Sequence, residues 1–324
     1  MKILVYSGAL TEKHKEMISE AANKVGADLC FTENANEVPE GYEDTEIVYG
    51  YGMNIIGADN IRMLPNLKWI SITSAGVDYL FKPGLFKNED VIITNASGAY
   101  GVSIAEHIIA VSLMMMRSLT YHYSESSNGR WVNLVMQKSL KDCRITVLGT
   151  GDIGSTFARR AKAFEPAVIT GVCRSGKCDD PVYDEVFSID HLDEILPSTE
   201  LLVMSLPATK ETEGILSRER INLLPEGAYI VNVGRGSAID EDALYDALQS
   251  DRLGGAALDV FRKEPLPSES NLWNAKNILI TPHSAGNLTV PYTVNRNVEL
   301  FCENLLRYAE GNKMNHVVDK NTGY

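Results

Sequence analysis

Six residues restrict what this chain can fold into more than any others: Gly149-Thr150-Gly151-Asp152-Ile153-Gly154. They follow an apolar run at 145–148 and lead into a segment with helical spacing at 155–163. In a strand–loop–helix setting the three glycines have separate duties. The first makes a tight turn, the second lets backbone approach a pyrophosphate, and the third lets the helix pack closely on the strand. The helix that follows presents unsatisfied N–H groups to the phosphates. A lone GxGxxG is an ordinary turn; with these flanks it reads as a dinucleotide-binding loop, and such a loop requires a parallel α/β sheet around it.

The next checkpoint is the tip of the second strand, where an acidic residue would bind the 2′-hydroxyl of NAD. The run here is Val172-Cys173-Arg174-Ser175-Gly176-Lys177, without a carboxylate, and Asp179 comes too late. Arg174, Ser175 and Lys177 offer positive charge and a hydroxyl, the groups that suit a 2′-phosphate. The expected preference is NADP over NAD.

Strand-like and helix-like segments alternate on both sides of this loop. Apolar runs at 3–6, 28–31, 47–49, 69–72 and 92–94 precede it, and further runs at 168–172, 201–205, 228–232, 256–259 and 278–281 follow it. The segment 11–25 has helical spacing, and a long helical segment at 100–117 separates the two sets. Such alternation predicts βαβ units. At about 150 residues per domain, the 324 residues suit two domains. The expected architecture is α/β: two Rossmann-like, doubly wound parallel-sheet domains with an interdomain cleft. Residues 98–283 would form the dinucleotide-binding domain, and 1–97 plus 284–324 the substrate domain, because the amphipathic tail at 291–310 could cross back to the first half.

The net charge of −13 and pI near 5.0 disfavour a nucleic-acid or anionic-membrane surface. The longest apolar stretch, 108–116, is far too short for a bilayer span and reads as a buried helix. Five cysteines without a CxxC pair or a Cys/His cluster suggest reduced thiols and no metal site. The expected location is cytoplasmic. The apolar and aromatic groups of 104–116 and 121–131 exceed what a monomer needs, so a homodimer is expected.

Three segments place polar groups just beyond strands, where α/β proteins bind ligands. They are Asn232-Val233-Gly234-Arg235-Gly236, Asp259 through Glu264-Pro265, and Thr281-Pro282-His283-Ser284-Ala285-Gly286. With Leu206-Pro207, Thr73-Ser74-Ala75-Gly76-Val77-Asp78, and Asn95-Ala96-Ser97-Gly98 leading into Ala105-Glu106-His107, nearly the whole chain resembles the D-isomer-specific 2-hydroxyacid dehydrogenase family. That resemblance implies hydride transfer between NAD(P)H and a small 2-oxo acid, of glyoxylate/hydroxypyruvate reductase type. Arg235 would bind the substrate carboxylate and polarise the carbonyl, His283 would be the general acid–base, and Glu264 would hydrogen-bond His283. The chemistry is coherent: hydride addition leaves charge on oxygen, so a proton donor must be in place, and histidine titrates near neutrality.

The resemblance also implies that Leu206, Pro207, Thr212, Val233, Gly234, Asp259, Ala285 and Gly286 line the cofactor, with Asp259 accepting a hydrogen bond from the nicotinamide amide. Ser74, Ala75, Gly76 and Tyr51 are the candidate substrate-binding residues beside Arg235 and His283. Two alternatives stay open at this stage. One is a 3-phosphoglycerate dehydrogenase without its extra regulatory domain. The other is a non-catalytic NAD(P)-sensing regulator on the same scaffold.

Overall fold

The computed structural model describes residues 1–34, 38–50, 62–77, 80, 84–88, 90–133 and 135–319. Tyr51 and Asp78 lie outside the described residues. In chain order the elements are β1 (Lys2–Tyr6), α1 (Glu12–Lys24), β2 (Asp28–Thr32), β3 (Ile47–Gly50), β4 (Trp69–Ile72), β5 (Ile92–Thr94), α2 (Gly101–Met116), α3 (Leu119–Ser127), β6 (Arg144–Leu148), α4 (Asp152–Ala161), β7 (Val168–Cys173), β8 (Glu185–Ser188), α5 (Leu192–Ile195), β9 (Leu201–Met204), α6 (Arg218–Leu223), β10 (Ala228–Asn232), α7 (Glu241–Gln249), β11 (Leu253–Leu258), β12 (Ile278–Ile280) and α8 (Pro291–Ala309). They form two compact units: Met1–Tyr100 with Asn287–Tyr324, and Gly101–Gly286.

The first unit carries a five-stranded sheet of order β2-β1-β3-β4-β5. Every pairing in it is parallel. Strands covered on both faces read as continuous apolar runs, and β1 does so with side chains alternating between two cores. Leu4 and Tyr6 join Val48, Ile70 and Ile72. Ile3 and Val5 join Ile18 of α1 and Val298, Phe301 and Leu305 of α8. Phe301 lies 4.6 Å from the Tyr49 ring and 5.4 Å from Trp69, centroid to centroid. Helix α8 is therefore core to this unit although it is nearly 300 residues from β1 in sequence.

The second unit carries a seven-stranded parallel sheet of order β12-β11-β10-β9-β6-β7-β8. Both sheets are parallel and helix-flanked, as the alternation of the sequence requires. Among the described residues, no single helix is long and apolar enough to cross a membrane.

Local differences from the sequence expectation have identifiable causes. The edge strand β8 is only four residues long and half-buried, so it gives little apolar signal. Strand β11 begins at Leu253 and ends at Leu258, which puts Asp259 one residue past its end. Gly254 and Gly255 look like turn residues but lie within that strand. A Cβ on Gly254 would come within 2.7 Å of the Gly227 carbonyl oxygen, and one on Gly255 within 2.9 Å of that of Asn277. Glycine in a strand often marks such close backbone approach.

The packing of α8 generates a test. Phe301→Ala should cost about 3–5 kcal/mol, the usual penalty for emptying a fully buried aromatic site. The measurement is amide hydrogen exchange in β1, β3 and β4, where protection should fall by the corresponding factor. Unchanged protection there would show that Phe301 is not part of that core.

Candidate active site

Strands β6 and β9 are neighbours in the second sheet, although the chain makes β7 and β8 between them. A reversal of strand order opens a crevice at the carboxyl edge, and ligands of open α/β sheets bind there. Gly149 follows β6 at this point with φ +100°. Its hydrogen faces β9: a Cβ would lie 2.9 Å from the Ser205 carbonyl oxygen. The Ser205 hydroxyl donates to the Gly149 carbonyl at 3.1 Å. At Gly154 a Cβ would sit 2.0 Å from the Gly149 oxygen and 2.9 Å from Val147, so helix α4 could not lie this close to β6 with any other residue. A Cβ at Gly151 would meet nothing within 4 Å. The loop thus has two glycines demanded by packing and one that faces open space, next to first-turn amides of α4 that lack intrahelical acceptors. This cradle fits a dinucleotide pyrophosphate.

Asp152 opens α4. Its carboxylate faces the first residue of α2, where a Cβ on Gly101 would come within 2.6 Å of Oδ1. It also accepts from the Thr156 hydroxyl at 3.5 Å. Around the same edge, the Thr212 hydroxyl donates to Pro207 O at 2.7 Å and accepts from the Thr209 amide at 2.9 Å, which closes the loop after Leu206. A Cβ on Gly234 would be 2.6 Å from Leu206 O, so the loops after β9 and β10 touch backbone to backbone.

Beyond β7, Gly176 turns with φ +66°. The Ser175 hydroxyl accepts from the Lys177 amide at 3.3 Å and donates to the Lys177 carbonyl at 3.2 Å. This compact turn leaves Arg174 and Lys177 exposed. The Glu211 carboxyl is held below its usual range by its own amide and by Thr209, with Arg174 adding a smaller electrostatic contribution.

The three segments with candidate chemistry leave adjacent strands β10, β11 and β12. Buried Asn232 braces the first: its side-chain amide donates to Arg235 O at 2.9 Å and its oxygen accepts from the Gly234 amide at 3.0 Å. Arg235 Nη1 donates to Gly234 O at 2.8 Å. The next residue, Gly236, packs against the second segment so tightly that a Cβ would stand 1.9 Å from the Phe261 carbonyl carbon. In that segment Glu264 Oε1 accepts from the Phe261 amide at 2.9 Å, and Glu241 Oε1 accepts from the Arg262 amide at 2.7 Å.

Glu264 Oε2 then lies 2.7 Å from His283 Nδ1. The carboxylate thereby fixes Nδ1 as the protonated partner and leaves Nε2 for chemistry. The imidazole is half-exposed, at 51%, and His283 has a left-handed backbone with φ +53°. Buried Asp259 does not simply point outward for a ligand. Its Oδ1 accepts from the Thr281 hydroxyl and the Ser284 amide, and its Oδ2 from the Ala285 amide.

In the first unit the turn at 73–76 follows β4. Tyr100 donates its hydroxyl to Thr73 O, and Asn95 donates its side-chain amide to Ala75 O at 2.8 Å. The Ser74 hydroxyl is turned inward onto Gly76 O at 2.9 Å. Among the described residues the Ala75 and Gly76 amides find no acceptor. The sequence assigns no role to Asn232 or Thr281 within the segments they open and does not single out Glu241 or Tyr100, although all four hold these loops. Their one signal was a polar group beside a strand end or at a helix start, which is too common to select.

The chain matches a model of the D-isomer specific 2-hydroxyacid dehydrogenase NAD-binding domain over residues 109–285. A D-isomer specific 2-hydroxyacid dehydrogenase from Xanthobacter autotrophicus Py2, solved with NADPH and MES, is 28% identical with a TM-score of 0.80, covering 100% of this chain and 99% of the other. An NADPH-dependent glyoxylate/hydroxypyruvate reductase from Sinorhizobium meliloti, solved with NADP and sulfate, is 25% identical with a TM-score of 0.77, again over 100% and 99%. A D-3-phosphoglycerate dehydrogenase from Archaeoglobus fulgidus is 30% identical over 71% of this chain, which spans only 43% of that protein. The chain belongs to the D-isomer specific 2-hydroxyacid dehydrogenase family. It is an NAD(P)-dependent oxidoreductase.

Gly236 supplies the test of this arrangement. Gly236→Ala must push the Phe261–Arg262 backbone away and with it the anchor of Glu264. Activity should fall by about 10²-fold, the scale of a misplacement of roughly an ångström at a catalytic group. Parent-like turnover in Gly236→Ala would show that the loop tolerates the shift.

Proposed function

We propose that the protein is a D-2-hydroxyacid dehydrogenase that reduces a small 2-oxo acid of the glyoxylate or hydroxypyruvate class, with NADPH preferred over NADH. The single observation that carries the acid–base assignment is the 2.7 Å contact between His283 Nδ1 and Glu264 Oε2. The bound nicotinamide supplies the hydride when the cofactor is present. His283 donates a proton from Nε2 to the carbonyl oxygen as that oxygen gains charge, and takes it back in the oxidative direction. Glu264 holds the imidazole in one tautomer through its contact with Nδ1. Arg235 offers a planar fork to the substrate carboxylate and places positive charge near the carbonyl. The Ala75 and Gly76 amides are the part of the first unit assigned to carboxylate binding. Gly149, Gly151 and Gly154, with the Thr150, Asp152 and Ile153 backbone, hold the pyrophosphate. Leu206, Pro207, Thr212, Val233, Gly234, Ala285 and Gly286 form the surrounding cofactor wall.

His283→Ala should lower kcat by roughly 10²–10⁴-fold while NADPH affinity, set by the glycine loop, barely moves. Glu264→Gln keeps an acceptor at Nδ1 but removes the charge. Reductive kcat should fall while NADPH affinity stays, and an unchanged reductive kcat in Glu264→Gln would show that the carboxylate charge is not needed. Arg235→Lys should act mainly on the KM for the 2-oxo acid. Assays over glyoxylate, hydroxypyruvate and 3-phosphohydroxypyruvate decide the substrate class. A faster reaction with the phosphorylated acid would replace this reading with the phosphoglycerate one, and no turnover of any 2-oxo acid would favour a nucleotide-sensing regulator.

The cofactor preference rests on the exposed Arg174 and Lys177 at the tip of β7. Arg174→Asp should cost about 1.5–3 kcal/mol of NADPH affinity, roughly ten- to hundredfold, and improve NADH use. Equal or better use of NADH by the parent protein would refute the preference.

We further infer a homodimer. Tyr123, Trp131 and Met136 are 76%, 94% and 93% exposed within one stretch after α2, a concentration of apolar surface suited to a second copy. Light scattering should give twice the chain mass, and a value near 35.7 kDa at micromolar concentration would overturn this inference.

A further inference from the structure

We propose that Cys173 and Cys178 are a modification site: a reversible disulfide between them dismantles the turn that receives the 2′-phosphate, so a hydroperoxide switches off NADPH binding. The proposal rests on the assignment of Arg174 and Lys177 to that phosphate. The two thiols flank those cations in sequence. Cys173 is the last residue of β7, and Cys178 follows Lys177. Both are free and partly buried.

The chain folds back between them. The Gly176 amide donates to the Cys173 carbonyl at 3.4 Å, and the Cys173 thiol donates to the Lys177 carbonyl at 3.4 Å. The Lys177 oxygen and the Cys178 Cα share one peptide plane and lie about 3 Å apart. The Cys173 sulfur is therefore at most about 6 Å from the Cys178 Cα. A disulfide asks for roughly 4–5 Å there, so closure needs a shift of about 2 Å in an exposed turn. Thr150 of the glycine loop meets both thiols. Its side chain hydrogen-bonds Cys173. Its carbonyl accepts from the Cys178 thiol at 3.9 Å and from the Ser155 hydroxyl at 3.1 Å. The pair stands where the pyrophosphate loop meets the turn that bears Arg174 and Lys177.

The surroundings make Cys173 the first to react. Burial pushes its thiol up, but hydrogen bonds with Ser175 and Thr150 and with the Lys177 and Gly176 backbone outweigh burial and hold it below its ordinary value. Burial pushes Cys143 up to about 12 and Cys302 up to about 11, and it raises Cys30 as well. The thiolate is the nucleophile. Cys173 attacks hydrogen peroxide: an S–O bond forms, the O–O bond breaks, and the departing hydroxide takes the proton that Cys173 gave up. Cys178 then attacks the sulfenic sulfur: an S–S bond forms, the S–O bond breaks, and hydroxide leaves as water with the Cys178 proton. Two thiols lose two electrons, and one peroxide becomes two waters. The ring so closed contains Arg174, Ser175 and Lys177. The thiol hydrogen bonds to Lys177 and Thr150 that now shape the turn are lost.

The test uses the full chain, hydrogen peroxide, and cofactor binding read by nicotinamide fluorescence. Peptide mass mapping without reductant should find Cys173 linked to Cys178. NADPH affinity should fall about ten- to hundredfold, the scale of a lost charged phosphate contact. NADH affinity should stay within about threefold, because NADH lacks that phosphate. Dithiothreitol should restore NADPH binding, and saturating NADP⁺ should slow the linkage. Cys173→Ser and Cys178→Ser, each compared with its own untreated affinity, should keep NADPH binding after peroxide. If Cys173→Ser fails to fold, Cys178→Ser carries the comparison. A parent protein that favours NADPH but forms no 173–178 linkage overturns the proposal. So does an equal loss of NADH binding, or a loss in Cys178→Ser as large as in the parent. If the untreated parent binds NADH as tightly as NADPH, the phosphate assignment fails first and this proposal with it.

Discussion

Everything at the candidate site depends on the polarity of one sheet. In the seven-stranded sheet all strands run the same way, so β6, β7, β9, β10, β11 and β12 deliver their last residues to a single edge. Parallel strands demand helical crossovers, and crossovers separate the site residues by tens of positions in sequence. Arg235, Glu264 and His283 come from three consecutive loops on neighbouring strands for that reason. The order of the strands adds the second constraint. Because β9 returns beside β6, the glycine loop opens over a crevice and not over another connection.

Close backbone approach is the device that turns this edge into a defined geometry. Gly149 against Ser205, Gly154 against Gly149, Gly234 against Leu206 and Gly236 against Phe261 each bring loops within a distance that no Cβ would allow. Side chains then finish what the glycines begin: Asn232 fixes both sides of Arg235, Glu241 and Glu264 accept from Arg262 and Phe261, and Asp259 gathers 283–285. The reactive groups can stay partly exposed, as His283 is, because buried neighbours carry the cost of order.

The parts of this design differ in how well they can be read without coordinates. The glycine loop was legible because its duty depends on three adjacent spacings and on the apolar run before it. The strand cores were legible because buried parallel strands are continuous in hydrophobicity. Asn232 and Thr281 were not, since a single polar residue after a strand has many possible partners, and which one it meets depends on the neighbouring strand. Strand β11 starts three residues before the apolar run at 256–259, because Gly254 and Gly255 extend it where the carbonyls of Gly227 and Asn277 leave no room for a Cβ. Asp152 carries the same lesson. Its carboxylate lies against Gly101 at the start of α2, a proximity that the loop motif alone does not show.

The remaining tension is electrostatic. A chain with net charge −13 is proposed to bind two anions, a phosphorylated cofactor and a carboxylate. At physiological salt the screening length is about 8 Å, so charges spread over the surface contribute little at the site. The decisive charges are the near ones: Arg174 and Lys177 beyond β7, Arg235 beyond β10, and the positive end of α4 at the glycine loop. Glu211 is a nearby carboxylate, and Arg174 adds a small electrostatic contribution to lowering its pKa. A phosphate near neutral pH carries up to two charges against one and offers a better match to a guanidinium fork. The global excess of acid therefore favours solubility, and anion binding is settled within one screening length of a few cations and helix amides.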